Sequence, residues 1–99
     1  MSSSSSDLQV RATVGSRVGL HARPAALIAK AVAPLDATVT LAKAGGSPVS
    51  AASPLMIVSL GATCGEEVLI AAEGPQAERA LADVRDLVER DLDATDGDG

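Results

Sequence analysis

The residues with most capacity for chemistry are Gly19-Leu20-His21-Ala22-Arg23-Pro24-Ala25-Ala26, which include the single histidine of the chain. His21 falls where a helical pattern begins, and Pro24 falls in the first turn, where a missing N–H removes no helical hydrogen bond. The first N–H groups of a helix have no partner inside it and form the positive end of its dipole. An anion attached to His21 would therefore meet the Ala22 and Arg23 amides as ready-made donors. Arg23 adds a permanent cation whose planar fork suits phosphate or carboxylate, and Arg17 in the preceding loop adds local positive charge. A neutral imidazole can attack phosphorus. A lone His-x-Arg pair is more often a helix-capping histidine beside a solvated arginine, so the weight rests on the whole octet.

The elements that must position this stretch follow from periodicity. Leu8, Val10, Ala12 and Val14 alternate with Gln9, Arg11 and Thr13 as a half-buried strand. From Ala22 to about Ala33, Ala25, Ile28, Ala29 and Val32 recur at helical spacing, with Leu27 off that face and Pro34 closing the helix. Ala37, Val39 and Leu41 mark a second strand, and Gly45-Gly46 permits a hairpin into a short edge strand from Ser47 to about Ala51. Ser53-Pro54 is a helix start with a hydroxyl at the cap and proline at the first helical position. The short helix runs to about Leu60, before Gly61, and is apolar on two faces: Ile57 and Leu60 on one, Pro54, Leu55 and Val58 on the other. So short a helix cannot easily bury both. Val68, Ile70 and Ala72 form the last strand. Ala77, Ala80, Leu81, Val84 and Val88 stripe the last helix, with Arg79/Asp83, Arg85/Glu89 and Asp86/Arg90 as solvated i,i+4 pairs. The order β-α-β-β-α-β-α predicts an α+β two-layer open-faced sandwich.

Composition narrows the function. The chain has 99 residues, enough for one small domain. We expect residues 1–7 to form a disordered serine-rich tail, residues 8–92 the domain, and residues 93–99 an acidic tail. The 46% hydrophobic content includes no Phe, Tyr or Trp, and the net charge is −5. Single-stranded nucleic acid needs aromatic stacking platforms and a tolerant charge, so nucleic acid is an unfavoured partner. One cysteine excludes an internal disulfide, and one histidine with one cysteine is too few for a conventional structural zinc site; no metal or cofactor is expected. Cys64, followed by Glu66 and Glu67, lacks the basic surroundings of a reactive thiol. No secretion signal and no membrane-spanning run is visible, which predicts a cytoplasmic protein without membrane insertion.

Gly19 to Ala26 resembles the phosphorylation-site signature of the HPr family, the histidine-containing phosphocarriers of the bacterial phosphoenolpyruvate:sugar phosphotransferase system. The likeness extends from about Leu8 to Leu92. It implies an antiparallel sheet in strand order 1-4-2-3 with three helices on one face. It implies that His21 accepts a phosphoryl group on Nδ1 from phosphorylated Enzyme I and passes it to IIA units of sugar permeases, with Arg23 matching the family's active-site arginine. Leu27, Pro54, Leu55 and Val58, with Arg17, match its docking surface for those partners, and a monomer suits such a shuttle.

The stretch Ser53 to Gly61 resembles a second family motif, in which many Gram-positive members carry a serine phosphorylated by a regulatory kinase. Here Ala52 stands where lysine is usual and Pro54 follows, so we expect Ser53 to act as a helix cap without kinase modification. Val18 stands where a small polar residue often precedes the glycine, which removes a side-chain hydrogen bond to the site. Two other functions would leave different traces. A non-transferring regulatory relative would not need His21, and an anion-binding module would bind phosphate without a covalent adduct.

Overall fold

Strand alternation sorts the sheet into two unlike faces. The computed structural model describes residues 8–90, in the order β1 (Leu8–Thr13), α1 (Ala22–Val32), β2 (Thr38–Lys43), β3 (Val49–Ser50), α2 (Pro54–Ser59), β4 (Glu67–Glu73) and α3 (Ala77–Glu89). The expected tails at 1–7 and 93–99 lie outside the described residues, as do the last two residues of the expected domain. The strands form one antiparallel sheet in the order β1-β4-β2-β3. Register aligns Val10, Ile70 and Leu41 in one row and Leu8, Ala72 and Val39 in the next. Ile70 and Leu41 are fully buried. On the opposite face, Gln9, Arg11, Glu67 and Glu73 are exposed, so the helices cover one side and water the other.

The helical stripes predicted from spacing are the buried ones. Ala25, Ile28, Ala29 and Val32 of α1 are buried together with Pro24, and Ala77, Ala80, Leu81, Val84 and Val88 of α3 are buried. With no Phe, Tyr or Trp in the chain, the core is filled by close approach of small side chains: Ala25, Ala51 and Ala80 reach zero exposure. Each core Ile or Leu in such an interior is worth roughly 1.5–3 kcal/mol over its exposed state. The three i,i+4 pairs of α3 are present on its exposed side, at 3.6 Å for Arg79–Asp83 and 3.5 Å for Arg85–Glu89, with Arg90 also on Asp86.

Three boundaries differ from expectation. The edge strand β3 is only Val49–Ser50, because the Ser50 hydroxyl accepts the Ala52 N–H at 3.1 Å and the Ala51 N–H bonds to Val39 O at 2.9 Å. Those bonds turn the chain into α2 and bury Ala51. Helix α1 stops at Val32, its cap residue Ala33 donating to Ala29 O, so Pro34 lies past the end. Helix α2 stops at Ser59, with Leu60 as its cap and Gly61 at φ +67°, a left-handed conformation that glycine adopts without strain.

Candidate functional site

His21 is the N-cap of α1, in extended conformation (φ −87°, ψ −168°), and its side chain makes no capping hydrogen bond to the helix. Its carbonyl accepts the Ala25 N–H at 3.1 Å, the first bond of the helix. Pro24, the third helical residue, has no N–H to offer. The first turn therefore has two N–H groups without an acceptor inside the helix, those of Ala22 and Arg23. They define the positive end of α1 beside the imidazole, and no acidic residue lies in that turn. The His21 ring is half-buried with Nε2 enclosed, so the exposure of the residue comes from its other atoms. The Arg23 side chain is exposed, two residues beyond.

The loop before His21 is pressed against a neighbouring segment. Gly19 has φ +80°, and a Cβ there would lie 2.4 Å from Ala62 O and 3.1 Å from Thr63 Cα. Only glycine meets both demands. Leu20 is buried and donates its N–H to Ala62 O at 3.0 Å, while the Gly19 N–H bonds to Ser16 O at 3.0 Å and the His21 N–H to Gly19 O at 2.9 Å. The backbone of His21 is thus fixed through both its N–H and its carbonyl. Arg17 and Val18 form the exposed tip of this loop, Val18 at 65% exposure.

Residues 61–66, which carry Ala62, are held by a carboxylate. Glu66 Oε1 accepts the Thr63 N–H at 2.7 Å and the Thr63 hydroxyl at 3.1 Å, and lies 3.6 Å from Lys43 Nζ. The Thr63 backbone and hydroxyl bonds, then the Lys43 charge, hold the Glu66 carboxyl below the usual carboxylate range. Cys64 is exposed at the tip of the same turn and is a free thiol.

Helix α2 packs against α1 and presents apolar residues to water. Ile57 is fully buried and Leu60 partly so, while Pro54, Leu55 and Val58 are exposed, Leu55 at 77%. The two faces are therefore assigned as the spacing predicts. Leu27 differs from its expected exposed state: it is half-buried on α1, because it borders the buried stripe. Two exposed apolar residues were absent from the expected patch, Met56 at 43% and Val18. Met56 follows Leu55 directly and precedes Ile57. In a helix of six residues, two faces of different exposure leave that intermediate position undecided by spacing. Ser53 is the N-cap of α2, its Oγ accepting the Met56 N–H at 3.3 Å, at the end of the helix away from Gly61 and Ala62.

Among the described residues no set of three or more His, Cys, Asp and Glu could hold a metal ion, and no helix is long and apolar enough to cross a membrane.

The family model "PTS HPr component phosphorylation site" matches residues 8–90. The chain is 46% identical over 83 residues to phosphocarrier protein HPr of Streptomyces coelicolor, covering 84% of this chain and 89% of the relative. It is 34% identical over 71 residues to phosphocarrier protein NPr of Escherichia coli, covering 72% and 79%. Among solved structures it resembles a phosphocarrier protein HPr from Bacillus anthracis, with a TM-score of 0.77 and 35% identity, covering 83% of this chain and 96% of that one. With a match across all the described residues, a strand order of 1-4-2-3 as the resemblance implied and a histidine at the start of the first helix, the chain belongs to the HPr family of phosphotransferase-system phosphocarriers.

Proposed function

We propose that residues 8–92 carry phosphoryl groups on His21, accepting them from phosphorylated Enzyme I and donating them to IIA units that serve sugar uptake. The observation that carries this reading is the histidine at the start of α1, whose side chain makes no capping bond and which stands beside the first-turn amides of Ala22 and Arg23. The ring nitrogen Nδ1 attacks phosphorus, the bond from phosphorus to the donor atom of Enzyme I breaks, and that donor atom keeps the electron pair. Arg23 balances the negative charge on the transferred oxygens. Burial of Nε2 supports Nδ1 as the reacting atom.

A carrier must also release its cargo. Charge-assisted hydrogen bonds contribute roughly 1.5–3 kcal/mol each, and several at once would trap the phosphoryl group. A half-buried ring with two amides and one exposed arginine suits reversible transfer. Pro54, Leu55, Met56 and Val58, with half-buried Leu27 and the charge of Arg17, supply a shallow apolar surface ringed by polar groups, which several partners can share. Ser53 serves as a cap, with no kinase acting on it.

Incubation with phosphoenolpyruvate and Enzyme I, followed by intact mass before and after mild acid, tests this reading. One phosphate that is lost in acid is expected; stable phosphate, or none, refutes it. Leu55→Glu tests the surface: the KM for Enzyme I should rise about tenfold with the melting temperature little changed, since Leu55 adds almost nothing to the core.

A further inference from the structure

Gly15 lies six residues before His21, outside the Gly19 to Ala26 stretch, and rests on the last turn of α3. Its N–H donates to Val88 O at 3.0 Å. A Cβ at this position would lie 2.0 Å from Glu89 O and 2.7 Å from Glu89 C, the tightest such contact of any glycine described. Gly15 has no positive φ, so local turn geometry does not call for glycine here. The demand comes from α3. The last carbonyls of a helix lack partners inside it, and Val88 O finds one in Gly15. Two residues earlier, the Thr13 N–H reaches Glu89 Oε2 at 3.4 Å.

From Gly15 a run of fixed contacts leads to the site. Ser16 is 1% exposed, the one buried polar residue among the described residues. Its carbonyl accepts the Gly19 N–H, and the Gly19 carbonyl accepts the His21 N–H. Displacement of Gly15 would therefore propagate through Ser16 and Gly19 to the backbone of His21.

We propose that Gly15 is a positioning residue for His21, its seat on the Val88–Glu89 turn setting where the imidazole stands relative to the amides that open α1. The consequence for phosphotransfer rests on the carrier function proposed above; the geometric claim does not. A shift of about 1 Å in a reacting group is enough for a hundredfold loss in rate, and relief of the Glu89 contact requires a shift of that size.

The test is Gly15→Ala in the full chain, beside the control Gly46→Ala, where the nearest atom to a Cβ is Lys43 O at 3.4 Å. In Gly15→Ala the imidazole proton resonances of His21 should move, and the maximal rate of phosphate acceptance should fall about tenfold or more with the KM for Enzyme I within twofold of wild type. Gly46→Ala should match wild type in all three. Unmoved His21 resonances in folded Gly15→Ala, or a loss carried by KM alone, would overturn the proposal. If Gly15→Ala does not fold, amide exchange in the wild type decides: Gly15 should be protected together with the last turn of α3, and exchange at the rate of an unstructured peptide overturns it. Wild type that takes no phosphate from Enzyme I would sink the carrier function, whereas the His21 resonances of Gly15→Ala report on the positioning claim in either case.

Discussion

The two helices that begin beside a proline, α1 and α2, start with caps of similar backbone shape and opposite use. Both cap residues, His21 and Ser53, are extended, and neither first turn contains an acid. In α2 the Ser53 hydroxyl accepts a first-turn N–H, and Pro54 at the first position removes another donor. The chain itself thus answers the Met56 donor and dispenses with one at Pro54. In α1 the proline comes two positions later and the cap side chain accepts nothing from the helix, so the Ala22 and Arg23 amides find no acceptor within the helix. A side-chain cap contributes stability to a helix start, whereas a start whose cap residue makes no such bond gives up that contribution, which accords with the carrier role proposed for His21. The difference lies in one side chain and in the position of one proline.

Converting one start into the other should give the largest effect. His21→Ser places at α1 the hydroxyl that α2 already has; phosphate acceptance from Enzyme I should vanish while stability rises by about 0.5–1 kcal/mol. Intact mass and thermal melting read the two halves, and acid-labile phosphate on this variant would break the comparison. His21→Ala should also lose labelling, without the gain in stability.

Arg23→Ala leaves both α1 amides in place and removes only the cation. Transfer should slow by about 10–100-fold, the equivalent of one charge-assisted hydrogen bond, and remain measurable in a single-turnover assay. A rate equal to wild type would make Arg23 a surface charge. Ser53→Ala performs the reverse operation on α2: the protein should lose about 0.5–2 kcal/mol in denaturant titration, with labelling of His21 unchanged. An unchanged midpoint would mean that Pro54 and the Ile57 anchor hold the helix start without the hydroxyl.

The smallest effect concerns the turn that joins the two helix environments. Because the Thr63 bonds and Lys43 hold the folded Glu66 carboxyl below its ordinary range, its contribution is present above the unfolded value near 4.5 and is lost as pH falls through the lowered folded value. Thr63 amide exchange should accelerate in that acid window in the wild type, and Glu66→Gln should remove the pH dependence. Persistence of the acceleration in Glu66→Gln would assign it to another group.

The sequence by itself determined the local half of this protein. The buried stripes of α1 and α3, the exposed face of α2, the hydroxyl cap at Ser53 and the histidine at a helix start all depend on periods of 2 and 3.6 residues and on caps within four residues, so neighbouring side chains carry the information. The strand order 1-4-2-3 was implied by resemblance to a family, since alternation shows that a strand has two faces but does not name its neighbour.

Only the tertiary structure decided what grips the loop before His21. Gly15 meets Val88 and Glu89, and Gly19 and Leu20 meet Ala62 and Thr63. These are backbone contacts between segments more than forty residues apart in sequence. A carbonyl oxygen is the same on every residue, so nothing in the identity of Glu89 or Ala62 marks it as the partner. The position becomes visible when the sheet closes and brings the end of α3 and the turn after α2 against the loop that leads to His21.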